Sequence, residues 1–187
     1  IHLLLITNIK KSKVWSKKQE ITRKKEITQM LKLYDFNSYH NLNYEPAQLN
    51  SSSIYNLIQH IDKVVNSIKP NLIYMNNSSD IHTDHQIVYK ASISCLKSFR
   101  KKFIKKILLY ETLSETEYAK ENLFNPNYFV DISKFMKKKL SICKIYKDEI
   151  KKKQGRSLKD IKNLAEYRGS QSNFKFAEAF QVHKIFH

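Results

Sequence analysis

The chain opens on an apolar run, Ile1 to Thr7, of strand length and without polar alternation, which predicts a strand covered on both faces. The periodicity then turns helical. From Gln19 to about Tyr34, Ile27, Met30, Leu31 and Tyr34 recur at spacings of three and four, and from Asn50 to Lys69 the same spacing joins Ile54, Leu57, Ile58, Ile61, Val65 and Ile68. Pro70 predicts the end of that second helix. "NLIYMN" (71–76) and "IKKILLYE" (104–111) predict two further buried strands, and Ile87, Val88, Ala91, Cys95 and Phe99 between them mark a helix. Strand, helix, strand at this interval is a βαβ unit. Downstream, "YFVDI" predicts a short strand ahead of a helix over about Ser133 to Lys152. "SLKDIKNLAEYRG" predicts a helix with Ser157 at its start and Gly169 past its end. The tail "NFKFAEAFQVHKIF", with Phe174 and Phe176 two apart, predicts a short strand or a docked segment packed on the core. Lys175 and Lys184 beside four phenylalanines also fit a membrane-surface segment.

Composition bounds what these elements build. A chain of 187 residues and 22.2 kDa is the size of one domain, 1–187, with a sizeable core. The charge of +17 is spread along the sequence, and Arg occurs only at positions 23, 100, 156 and 168. Readers of phosphate and base edges lean on Arg forks, so no specific nucleic-acid partner is expected, although a basic surface attracts polyanions without specificity. Cys95 and Cys143 lie far apart on the apolar sides of predicted helices, which predicts free thiols in a reducing compartment, by default the cytoplasm. Ile1 to Thr7 is too short to span a membrane and has no cleavage-type flank. Gly155 and Gly169 are the only glycines, which excludes a dinucleotide fingerprint or Walker loop within these residues.

The candidate chemistry is concentrated in "SSDIHTDHQIV" (78–88), where two histidines and two aspartates fall within six positions. Thr83 followed three residues later by Gln86 is a capping-box pattern that predicts Thr83 as N-cap. Asp84 and His85 then stand in the first helical turn, with His82 just outside, at the carboxyl end of the preceding strand, where open α/β sheets bind ligands. Three readings stay open: a polar loop, a cap whose Asp complements the helix dipole, or half of a metal site. Asp80 is expected to bond the backbone of its own loop as an Asx-turn. His2, His40, His60, His183 and His187 show no ligand-type spacing.

"SSDIHTDHQIVYKA", "ILLYETLSETEY", "FNPNYFVDISKFMKKKLSICKIYKDEI", "GRSLKDIKNLAEYRG" and "FAEAF" resemble, in the same order and at similar intervals, the LmbE-like (PIG-L) family of zinc-dependent N-acetylglucosaminyl deacetylases, in its bacterial branch associated with surface polysaccharides. The resemblance implies a Rossmann-like three-layer α/β/α sandwich with a mostly parallel sheet and zinc at its carboxyl edge. It implies hydrolysis of the acetamide of an N-acetylated sugar conjugate, with His85 as a zinc ligand. His82 would stabilise the oxyanion or help protonate the leaving amine, and Asp84 would orient a neighbouring histidine. Arg23 in "TRKKEI" matches an arginine on the substrate side. Glu111, at the end of a predicted strand, is a further candidate for lining the pocket, and Arg168 and Glu178 match positions behind the site.

The family's other zinc ligands and its general base lie in a His-Pro-Asp-Asp segment after the first strand, and no such segment occurs here; "IHLLLITN" resembles the second strand. A missing first strand, weak zinc binding and an N-terminally incomplete domain are therefore expected. Pro46 and Ala47 stand where relatives tend to carry Asp-Asn, and "ITNI" lacks a usual glycine. The alternative is a truncated or decayed, non-catalytic homologue that acts as a basic binding module. A homo-oligomer is compatible with either.

Overall fold

The computed structural model describes residues 1–150 and 155–186. Strands and helices alternate through it: β1 (His2–Thr7), α1 (Lys17–Leu33), β2 (Ser38–Tyr44), α2 (Ile54–Ile68), β3 (Leu72–Asn76), α3 (Thr83–Cys95), β4 (Lys106–Tyr110), β5 (Tyr128–Asp131), α4 (Met136–Cys143), α5 (Leu158–Ser170) and β6 (Ala177–Ile185). β1 pairs in parallel with β2, His2 opposite Ser38, and β3 pairs in parallel with β4, Leu72 opposite Lys106. Each helical crossover thus returns the chain in the same direction, as a βαβ step requires. β6 then enters antiparallel between β4 and β5, giving the order β3-β4-β6-β5. The architecture is the expected Rossmann-like α/β arrangement, with a sheet that is mixed where β6 joins it.

Local chemistry sets the boundaries. Ser16 and Ser157 cap α1 and α5 in complete capping boxes with Gln19 and Asp160. α2 ends at Ile68, and its C-cap Lys69, the residue before Pro70, has a left-handed backbone (φ 52°) and donates its N–H to Val65 O. α5 runs through Gly169 rather than stopping before it: a Cβ there would stand 2.5 Å from Phe174 O, where the chain turns tightly toward β6. The helix expected to reach Lys152 stops at Cys143, turns follow it, and Lys151 and Lys152 lie outside the described residues. β2, "SYHNLNY", was not predicted, because its polar residues give no apolar alternation.

The main core gathers Leu57, Ile61 and Val65 of α2, Ala91 and Cys95 of α3, and Met75, Ile107 and Leu109 of the sheet. A smaller cluster joins Met136, Ile161, Ala165 and Phe176. β1 behaves differently from its sequence: none of its residues is fully buried. Among the described residues β1 pairs only with β2 and β3 only with β4, and a cavity of about 820 Å³ lies between them, lined by Leu3, Leu4, Ile6, Val65, Met75 and Val88 among others.

Candidate active site

The carboxyl end of β3 turns through two buried asparagines. Asn76 donates its amide to Asn77 O (3.0 Å) and to His85 O (2.9 Å), while Asn77 Oδ1 accepts from Ser79 N and Oγ (2.9 and 2.7 Å). These bonds fold residues 77–82 back over the sheet edge and fix the entry to α3. The N-cap of α3 is His82 rather than Thr83: its Nδ1 accepts from Asp84 N at 3.1 Å.

Asp80 is the hub of the loop, and the sequence understated it. Instead of closing an Asx-turn, its fully buried carboxylate accepts from His85 Nδ1 (2.8 Å), Thr112 Oγ1 (3.1 Å) and Thr116 Oγ1 (2.5 Å). The only sequence signal for it was an Asp in the same loop as His85; Thr112 and Thr116 come from a distant loop after β4. The His82 and His85 rings stack, with centroids 4.9 Å apart and planes at 26°.

Those bonds assign the imidazole protons. A His85 Nδ1 that donates to Asp80 leaves Nε2 with a free lone pair in the neutral ring. A His82 Nδ1 that accepts from the backbone carries its proton on Nε2. Side by side, the two rings present one acceptor nitrogen and one donor nitrogen, both half-buried at the sheet edge.

Asp84 has a different task from the one expected. Its buried carboxylate accepts from Ala47 N (2.7 Å) and Leu49 N (3.3 Å), tying down the loop after β2, where Ala47 holds a left-handed φ of 61°. It does orient a histidine, His82, but through its main-chain N–H.

Arg23 makes no contact with the histidine pair. Its guanidinium bonds Glu149 (2.5 Å), approaches Glu26 (3.4 Å) and lies over the Tyr146 ring at 5.3 Å. Arg156 continues the chain of charge from Glu149 (3.7 Å) to Glu115 (2.5 Å), beside Thr116. Glu111 faces Arg168 in a bidentate pair (2.7 and 2.6 Å), so its carboxylate is engaged within the protein. Arg168 is in turn bracketed by Phe124 and Tyr167. Glu178 pairs with Lys139 at 2.5 Å.

His85, with one ring nitrogen held by a buried carboxylate and the other free, has the arrangement of a metal-binding imidazole. A zinc site needs three or four such ligands. Among the described residues no group of three or more His, Cys, Asp or Glu could hold a metal ion. The residues present supply one ligand and do not by themselves fit zinc.

The family described as PIG-L, GlcNAc-PI de-N-acetylase, matches residues 1–96. No curated protein matches the chain. Among solved structures, N,N'-diacetylchitobiose deacetylase from Pyrococcus horikoshii superposes with a TM-score of 0.72 at 17% identity, over 97% of this chain and 72% of that one. A deacetylase from the teicoplanin biosynthesis pathway gives 0.72 at 11% identity, over 97% of each chain. The 4-carboxy-2-hydroxymuconate hydratase from Pseudomonas putida also gives 0.72, at 14% identity, over all of this chain and 85% of that one. These likenesses show the fold, which serves more than one reaction among those proteins.

Proposed function

From the premise that the chain belongs to the PIG-L family of GlcNAc-PI de-N-acetylases, we propose that it is an amidohydrolase acting on an N-acetylated sugar conjugate: water adds to the acetamide carbonyl, the C–N bond breaks, and acetate and the free amine leave. The observation that carries this reading is the imidazole pair, one nitrogen a donor and the other an acceptor, at the carboxyl edge of the sheet. The Nε2–H of His82 would donate to the oxygen that gains charge as the carbonyl becomes tetrahedral. The departing nitrogen must gain a proton to leave as an amine, and the attacking water, which has to lose one, is its source. Asp80 holds the His85 ring, and the Asp84 N–H holds the His82 ring, so neither has to be oriented when substrate arrives. Arg23 and Glu111 are proposed to act at the substrate side, Glu111 by holding Arg168 in place.

The family resemblance makes zinc the proposed cofactor and His85 one of its ligands. We read residues 1–187 as one domain. No helix among the described residues is long and apolar enough to cross a membrane. Two free cysteines fit a cytoplasmic site of action. A second reading, a non-catalytic member that binds polyanions, is favoured by the charge of +17.

The test is acetate release from N-acetylglucosamine conjugates by the protein expressed from its complete reading frame, with metal uptake measured alongside. Release that falls at least about a hundredfold in His82→Ala supports the enzyme reading. Neither release nor metal uptake, together with salt-sensitive polyanion binding that survives His82→Ala and His85→Ala, would establish the second reading in its place.

A further inference from the structure

α4 turns one face to the core and leaves the other without a protein partner. Met136 and Leu140 pack into the smaller cluster, and Ile142 is buried. Lys137, Lys138, Ser141 and Lys144, spaced by three and four, form the exposed face, and Lys134 and Phe135 are exposed in the turn that leads into it. The Phe135 ring is 61% exposed. Lys138 Nζ lies 6.0 Å from the ring of Tyr34 at the end of α1, which brings Leu33 and Tyr34, 44% and 41% exposed, beside the same face. Residues 132–147 hold six lysines and no acid.

The lysines of this face differ from those of α1, where Lys17 and Lys24 pair with Glu20 at 3.0 and 2.7 Å. Lys139, on the half-buried side of α4, pairs with Glu178, but Lys134, Lys137, Lys138 and Lys144 make no ion pair among the described residues. Asp131 faces Lys134 and Asp35 follows Tyr34, so five lysines, with Lys32 included, stand against two aspartates. Ammonium groups around apolar tips match a surface that is anionic outside and oily beneath. The charges meet headgroups, while Phe135 and Leu33 reach the acyl boundary. Readers of nucleic acid lean on arginine forks, and residues 32–36 and 132–147 hold no arginine.

We propose that this face, formed by α4, the turn before it and the end of α1, docks on an anionic lipid bilayer. The contact lies on the membrane surface, because the eight residues of α4 are too few to cross it. β5 pairs antiparallel with β6, as β4 does, so it runs in the direction of β3 and β4. α4 therefore starts from the sheet edge that carries the histidine pair, and a docked bilayer borders that edge. Such docking needs no deacetylase activity and does not rest on that reading.

The protein expressed from its complete reading frame is cosedimented with vesicles of phosphatidylcholine alone and of phosphatidylcholine mixed equally with phosphatidylserine. Binding to the mixed vesicles should be saturable, at least about tenfold tighter than to the neutral ones, and weaker in high salt. Each lysine near an anionic surface is worth roughly fivefold in partition, so Lys137→Gln, Lys138→Gln and Lys144→Gln together should weaken binding about a hundredfold. Phe135→Ser alone should weaken it about fivefold. Lys10→Gln, Lys13→Gln and Lys18→Gln together remove the same charge near the other end of α1 and should cost no more than about fivefold. All these side chains are exposed, so each variant should keep the wild-type circular dichroism. If the triple variant on α4 does not fold, Phe135→Ser carries the test. Equal binding to the two kinds of vesicle, equal losses in the two triple variants, or no loss in Phe135→Ser overturns the membrane face. Tighter binding to a single-stranded oligonucleotide than to the mixed vesicles, lost in the α4 variants, also overturns it and assigns the face to a nucleic acid.

Discussion

β1 and β4 carry similarly apolar sequences, "HLLLIT" and "KILLY", yet they sit in opposite surroundings. β4 lies between β3 and β6, and Ile107, Leu108 and Leu109 are almost wholly buried. β1 has one paired edge, a cavity along the other and no fully buried residue. An apolar run therefore states what a strand can bury, not what its neighbours allow it to bury; the supply of hydrogen-bonding edges decides the rest.

The largest effect should come from truncating each strand in turn. Leu108→Ala is expected to cost about 2–5 kcal/mol, the range for a fully buried leucine, and Leu4→Ala less than half as much. Denaturant unfolding measures both, and equal losses would break the contrast. A smaller effect concerns the site at the boundary of the two sheets. Asp80→Asn keeps the size but gives His85, Thr112 and Thr116 only one acceptor oxygen among them, at a cost of about 1–3 kcal/mol. It should also free the His85 ring, read as loss of the Nδ1–H signal in nitrogen-15 NMR. A retained signal would remove Asp80 from its positioning role.

The smallest effect is the response to acid, in which the two regions should separate. Burial, with Lys184 beside it, lowers the pKa of His183 on β6 below 6.5, so the unfolded chain takes the proton first and that contribution to stability is lost as pH falls below about 6.5. Glu20 on α1 is held at about 2 by Lys24, Lys17 and the Lys11 backbone N–H. Its contribution is present above 4.5 and is lost only as pH falls from 4.5 toward 2. Amide exchange followed by region should therefore show β6 loosening at milder acidity than α1.

Much of the fold was legible because it rests on periodicity: α2, α3, β3 and β4 fall where the apolar spacing put them. β2 was not, since Ser38–Tyr44 owes its extended form to pairing with β1 rather than to its own side chains. The site was half legible. His82, Asp84 and His85 share one short stretch and stand together, but the carboxylate that orients His85 belongs to Asp80. Its threonine partners are 32 and 36 residues away in sequence, and no local pattern announces a bond made by the tertiary fold. The reach of Arg23 toward Glu149 was hidden for the same reason.

β6 is inserted between β4 and β5, although it follows both in the chain. While the polypeptide is being synthesised, β5 has no strand to pair with until Ala177–Ile185 emerge, about 46 residues later. At the usual 5–20 residues per second, that leaves β5 unpaired on the ribosome for roughly 2–9 s, and the open edge of β4, which is made earlier, for roughly 3–13 s. The nascent chain is exposed to mispairing for that interval, which makes it the stage at which a chaperone would have most to protect.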